Sequence, residues 1–122
     1  MQSDERDPVA EVVGRNDATF RDSNERINDV AETTELGQSG ALIPFLCECA
    51  DKSCTTIVRL TRQEYEAVRR DPALFLNAKG HDVNARGWGR VVQEFDRYSV
   101  IEKIGDAAEV AVELDPRRGV SP

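Results

Sequence analysis

The chain has 122 residues, 39% of them hydrophobic and 32% charged, and it carries a net charge of −7. That length suits one domain, and no run of roughly 18 apolar residues is present to span a membrane. The acidic balance disfavours nucleic acid as the main partner, because Lys and Arg neutralising phosphates supply most of the nonspecific affinity.

The N-terminal third is the acidic part, with ten acids against four bases over residues 1–35. Residues 1–15 read as a flexible acidic tail that contains Pro8 and Gly14. The polar start has no apolar stretch behind it, so it does not read as a secretory signal. Asn16 or Asp17 can cap a helix beginning near Ala18. Phe20, Ile27 and Ala31 fall at helical spacing, with Asn24 and Val30 beside them. This predicts an amphipathic helix of about 15 residues with a narrow apolar face, ended by Thr33, Thr34 and Gly37.

Leu42 to Leu46 is apolar and runs into Cys47-Glu48-Cys49. Thr55 to Leu60 is rich in β-branched residues, and the two segments form a hairpin around a cysteine-bearing turn. Thr61-Arg62-Gln63-Glu64 is a capping box that opens a helix to about Arg70, with Tyr65 and Val68 inward. Asp71-Pro72 stops it. Leu74-Phe75-Leu76 leads into the turn at Asn77 to His81, and residues 82–89 read as loop. Val91 to Phe95 and Tyr98 to Ile104 make a second hairpin around Asp96-Arg97. Asp106 can cap a short helix over 107–114, although Val110 and Val112 also suit a strand. Residues 116–122 read as a frayed C-terminal tail. The fold expected is a small α+β domain spanning 16–115: N-terminal helix, cysteine-bearing hairpin, central helix, second hairpin, short C-terminal helix.

All three cysteines lie within Cys47-Glu48-Cys49-Ala50-Asp51-Lys52-Ser53-Cys54, a C-x-C-x4-C spacing. In a reducing cytosol such a cluster points to metal or redox chemistry rather than structural disulfides. Zinc takes four ligands in a tetrahedron, drawn from thiolate and imidazole. The single histidine, His81, sits in a Gly-containing turn that can present it as the fourth ligand. The expected site is Cys47, Cys49, Cys54 and His81, closed and structural, with Asp51, Asp82 or a water as substitutes for the imidazole. Asp82 can orient the imidazole through its other nitrogen, and Lys52 can stabilise the thiolates. Residues i and i+2 of a strand share a face, so Cys47 and Cys49 can point one way.

The competing readings are three half-buried apolar cysteines with a surface histidine, or a redox switch among the thiols. An iron–sulfur cluster would call for a fourth cysteine. The residues Arg62, Arg69, Arg70, Lys79, Arg86 and Arg90 read as a solvated helix face and loops rather than a nucleic-acid surface. Trp88, between two glycines, reads as a core plug, with an exposed binding anchor as its alternative. No phosphate loop, H-E-x-x-H or EF-hand motif is present.

The segment Pro44-Phe45-Leu46-Cys47-Glu48-Cys49 to Cys54, then Leu60-Thr61 with Glu64-Tyr65, then Gly80-His81, resembles a group of small uncharacterised bacterial proteins. Their shared pattern is F-x-C-E-C-x4-C, L-T-x-x-E-Y and a later G-H. The resemblance covers about Asn16 to Asp115 and implies a compact cytosolic protein without an activity to carry over. The residue before the G-H is more often proline in that group, whereas here it is Lys79.

These readings favour a non-enzymatic cytosolic zinc-binding module that works through protein–protein contacts with a protein partner. The exposed N-terminal helix face and the Trp88 loop are its contact surfaces. The alternatives are a thiol-based redox sensor using the same cysteines, and a transcription-associated regulator touching nucleic acid through residues 62–90.

Overall fold

The structure is a computed structural model and describes residues 6–35 and 39–118. The expected helix stop at Gly37 and the tail residues 1–5 and 119–122 lie outside the described residues. In chain order the elements are α1 (Pro8–Glu32), β1 (Ile43–Leu46), β2 (Ile57–Leu60), α2 (Arg62–Val68), β3 (Leu74–Asn77), a 3-10 helix (His81–Ala85), β4 (Gly89–Glu94), β5 (Ser99–Lys103) and α3 (Gly105–Glu113). This is the expected α+β arrangement, with two small antiparallel sheets.

Helix α1 begins at Pro8, ten residues before the expected start near Ala18, so most of the expected tail is helical. Asp7 caps it by accepting the N–H of Val9 at 2.8 Å. Pro8 occupies the first turn, where its missing N–H costs nothing. Asn16 and Asp17 are therefore helix-interior residues rather than caps. Gly14 does not mark a tail either; it lets two helices touch. A Cβ at Gly14 would lie 2.8 Å from Val110 Cβ and 2.9 Å from the carbonyl oxygen of Ala107 on α3. Helix propensity alone would make Gly14→Ala stabilising by about 1 kcal/mol. The crossing reverses the sign: overpacking against a backbone atom should leave the variant destabilised by about 1–2 kcal/mol, read as a lowered urea midpoint.

The sheets are β1–β2, and β3–β5–β4 with β5 in the centre. The first is the predicted cysteine hairpin, with Ile43 opposite Leu60 and Leu46 opposite Ile57. The second contains the predicted hairpin plus a strand that the sequence reading left out. Leu74–Asn77 pairs with Val100 and its neighbours on β5. It has three consecutive apolar residues and no alternation, because Phe75, Leu76 and Asn77 are all buried. The Thr61 capping box forms in full, with Glu64 N–H donating to Thr61 Oγ1 at 3.1 Å and Thr61 N–H to Glu64 Oε1 at 2.8 Å. Asp106 does not cap α3. It sits in the first turn and accepts the N–H of Asp7 at 2.9 Å, tying the two helix starts together.

The main core gathers Phe45, Leu60, Tyr65, Leu76 and Val100 between α1 and the sheets, with Phe45 and Tyr65 stacked at 4.4 Å. A smaller cluster of Ala10, Val13, Ala50, Ala85 and Ala107 receives Trp88. Gly105 leaves room for the indole, since a Cβ there would meet Trp88 Cζ3 at 2.7 Å. Trp88 is thus a plug. The start of the expected C-terminal tail is held down: Arg117 Nε donates to Glu25 Oε1 at 2.6 Å and Nη2 to Glu66 Oε2 at 2.9 Å.

The buried face of α1 is unexpectedly polar. Asp17, Arg21, Asn24 and Asn28 are all buried and recur every three or four residues, which places them on one stripe. Arg21 lies 3.6 Å over the Phe75 ring and donates to the carbonyls of Pro72 and Leu74. It thereby satisfies backbone acceptors at the start of β3. Asn24 donates to Leu46 O and accepts from Leu46 N–H, both at 2.8 Å, so it continues the β1 ladder where no strand can. Val30, placed beside the apolar stripe by spacing, is 64% exposed.

Candidate metal centre

The ligand atoms of Cys47, Cys49, Cys54 and His81 all lie within 4.8 Å of one another. The four predicted residues therefore converge. Cys47 and Cys49 follow β1 directly and are buried, whereas Cys54 lies at the far side of the turn and is half-buried. Cys47 N–H donates to Thr56 O at 3.0 Å and Glu48 N–H to Leu76 O at 2.9 Å, so this arm is pinned to β2's approach on one side and β3 on the other. Asp51 shapes the turn by accepting Ser53 N–H at 2.9 Å and Ser53 Oγ at 2.7 Å, an Asx turn. Cys54 N–H closes it onto Asp51 O at 3.0 Å.

His81 arrives from the end of β3. The turn Ala78 to His81 needs Gly80, whose φ of +86° few other residues adopt. It is closed by His81 N–H donating to Ala78 O at 3.1 Å. Lys79 leaves this turn intact and reaches Phe95 O at 2.8 Å. The imidazole Nδ1 lies 3.5 Å from Cys47 Sγ and 3.6 Å from Cys54 Sγ. Ordinary zinc–sulfur and zinc–nitrogen bond lengths in a tetrahedron place sulfur and nitrogen about 3.6 Å apart. The two observed separations match that edge.

The sulfurs also have donors. Ala78 N–H points to Cys47 Sγ at 3.1 Å and Asn84 Nδ2 to Cys49 Sγ at 3.4 Å. The hydrogen bond from Cys47, reinforced by the Asn84 amide, holds the Cys49 thiol well below its usual range. The same contact with Cys49, together with burial, pushes Cys47 up. Lys52, expected to stabilise the thiolates, is exposed and makes no hydrogen bond to sulfur among the described residues; the backbone of Ala78 and the amide of Asn84 do that work. Asp82 makes no hydrogen bond to the imidazole among the described residues. Asp51 is the carboxylate whose charge interacts with His81. Neither aspartate joins the four-residue group.

Sequence reasoning missed Glu48. Lying between two cysteines, it is fully buried; its Oε2 accepts from Asn24 Nδ2 at 2.8 Å and its Oε1 from Leu76 N–H at 3.1 Å. It locks the C-x-C arm to α1 and β3. The available signal was alternation: if Cys47 and Cys49 face the ion, Glu48 must face the opposite way, into the domain. The basic middle segment gives no continuous patch, since Arg62, Arg69, Lys79 and Arg90 each face a carboxylate.

What fold and site together define is a small α+β domain carrying a Cys3His cluster able to hold a metal ion. No helix among the described residues is long and apolar enough to cross a membrane. No protein-family model, curated protein or solved structure matches the chain.

Proposed function

We propose that Cys47, Cys49, Cys54 and His81 bind one zinc ion in a closed structural site, and that the protein is a non-enzymatic module working through protein contacts. The carrying observation is the convergence of three sulfurs and one imidazole nitrogen within 4.8 Å of one another, with two sulfur–nitrogen separations at the length of a tetrahedral edge. Soft thiolates with an imidazole suit zinc, while iron–sulfur clusters usually take four cysteines. With four protein ligands no coordination position is left for a substrate water. Burial of Cys47 and Cys49 favours the structural role over a thiol sensor, because reactive thiols are accessible ones. The pairing of most middle-segment cations with carboxylates favours a protein partner over nucleic acid. Such a thiolate site persists in a reducing compartment, which supports a cytoplasmic reading.

The test is metal analysis of protein purified without added metal. About one zinc per chain is expected, and cobalt(II) exchanged into the site should show thiolate charge-transfer and tetrahedral ligand-field bands. Protein without zinc, or a cobalt spectrum of octahedral type, would reject the site.

A further inference from the structure

We propose that the groove between the first half of α1, the cysteine turn and the 3-10 helix binds an acidic amphipathic peptide segment of a partner protein. The inference deepens the functional reading and rests on it, because the metal-held turn forms one wall. The groove has a volume of about 650 Å³, within the usual range for ligand sites of roughly 300–1,000 Å³. Its lining mixes polar side chains with exposed valines: Val9 is 41% exposed, Val12 58% and Val83 72%. Val9 and Val12 stand three residues apart on one helix face, opposite Val83.

The groove carries two cations, Lys52 and Arg86, against one acid, Asp51. Cations elsewhere on this acidic chain are mostly neutralised in place, as Arg62 is by Glu32 and Arg97 by Glu64. Lys52 and Arg86 both line the groove, and among the described residues neither side chain has a carboxylate or carbonyl partner. The one acid in the lining, Asp51, is engaged by Ser53. A partner that brings carboxylates to these two cations and aliphatic side chains to the three valines satisfies both features. A peptide fits better than a simple apolar acid, because the side-chain oxygens of Asn16 and Asn84 accept no hydrogen bond among the described residues. Their amides are engaged by Ala50 O and Cys49 Sγ, so the free oxygens are oriented acceptors for peptide N–H groups.

The experiment is selection of a random 12-residue phage-displayed peptide library on the full-length protein as purified, with zinc measured in the same samples. The recovered peptides are then synthesised and their affinities measured. The expected result is enrichment of sequences that mix Asp or Glu with aliphatic residues. Their binding should shift the methyl resonances of Val9, Val12 and Val83. Lys52→Glu/Arg86→Glu should weaken it at least about tenfold, with circular dichroism and zinc content unchanged. No enriched peptide, enrichment without acidic residues, shifts elsewhere on the surface, or unchanged affinity in the double variant would each overturn the proposal. Stoichiometric zinc with any of those outcomes sinks the groove alone, whereas peptide binding to zinc-free protein sinks the metal staple alone.

Discussion

With zinc in the proposed site, stripping it should abolish the protein's cooperative unfolding transition instead of shifting it by a few degrees. A structural zinc ion supplies on the order of 10 kcal/mol of folding free energy, and a domain is stable by only about 5–15 kcal/mol. Little regular secondary structure holds the region around the cluster, although Glu48 ties its first arm to α1 and β3. β1 and β2 are four residues each, and a two-stranded hairpin is marginal in water. From Cys47 to Thr56 the backbone forms no helix or strand. The heat-capacity peak and the near-ultraviolet dichroism of Trp88 should be present in loaded protein, absent after excess 1,10-phenanthroline, and restored by added zinc. Cys49→Ser should resemble the stripped protein. His81→Ala keeps three thiolates and admits water as the fourth ligand, so it should bind zinc more weakly yet fold when zinc is saturating. An unchanged melting temperature after chelation would show that the core stands without the ion.

The second large effect belongs to the ion pair of Asp17 and Lys103. Their charged atoms lie 2.8 Å apart with both side chains fully buried, although no hydrogen bond of regular geometry joins them. Above the pH of about 7 at which Asp17 titrates, Lys103→Met alone removes the counter-charge of a buried carboxylate and should cost about 3–5 kcal/mol. Lys103→Met with Asp17→Leu removes both charges and should return to within about 1 kcal/mol of the wild type. Equal losses in the single and double variants, measured by urea unfolding, would show that the pair is not coupled. A pH series adds a sign. Burial outweighs Lys103 and pushes the Asp17 carboxyl up to about 7, while in the unfolded chain it titrates near about 3.9. Between those values the folded protein holds a proton that the unfolded chain has released. Its contribution to stability is therefore full below about pH 4, declines as pH rises, and is flat above about 7. At saturating zinc, the stability advantage of the wild type over Asp17→Asn should shrink across that window and not beyond it.

Several elements were readable because their cause is local. The Thr61 helix follows from a capping box and a stop at Asp71-Pro72, all within a dozen residues. The first hairpin follows from β-branched residues flanking a polar turn. Helix α1 was readable only in part. Its start was misplaced because Pro8 and Gly14 look like breakers in isolation, whereas Pro8 suits a first turn and Gly14 answers to Val110 on another helix. Its buried stripe was read at Asn24 but missed at Asp17, Arg21 and Asn28, because these are polar and hydrophobic periodicity does not register them. β3 went unread for the opposite reason: its residues are buried on both faces, so no alternation marks it.

For the metal centre, composition and spacing were enough to nominate all four side chains, since three thiols in eight residues and one histidine leave few combinations. What those features cannot carry is distance. Only the tertiary structure, by returning the Gly80 turn to the cysteine arm through β3, puts Nδ1 at 3.5 Å from Cys47 Sγ, and it alone assigns Glu48, Ala78 and Asn84 their supporting parts. The physical reason is that ligand identity is a property of residue type, written in the chain. Coordination geometry and charge stabilisation depend on groups 24 to 35 positions apart in sequence, which meet only when helix and sheets pack.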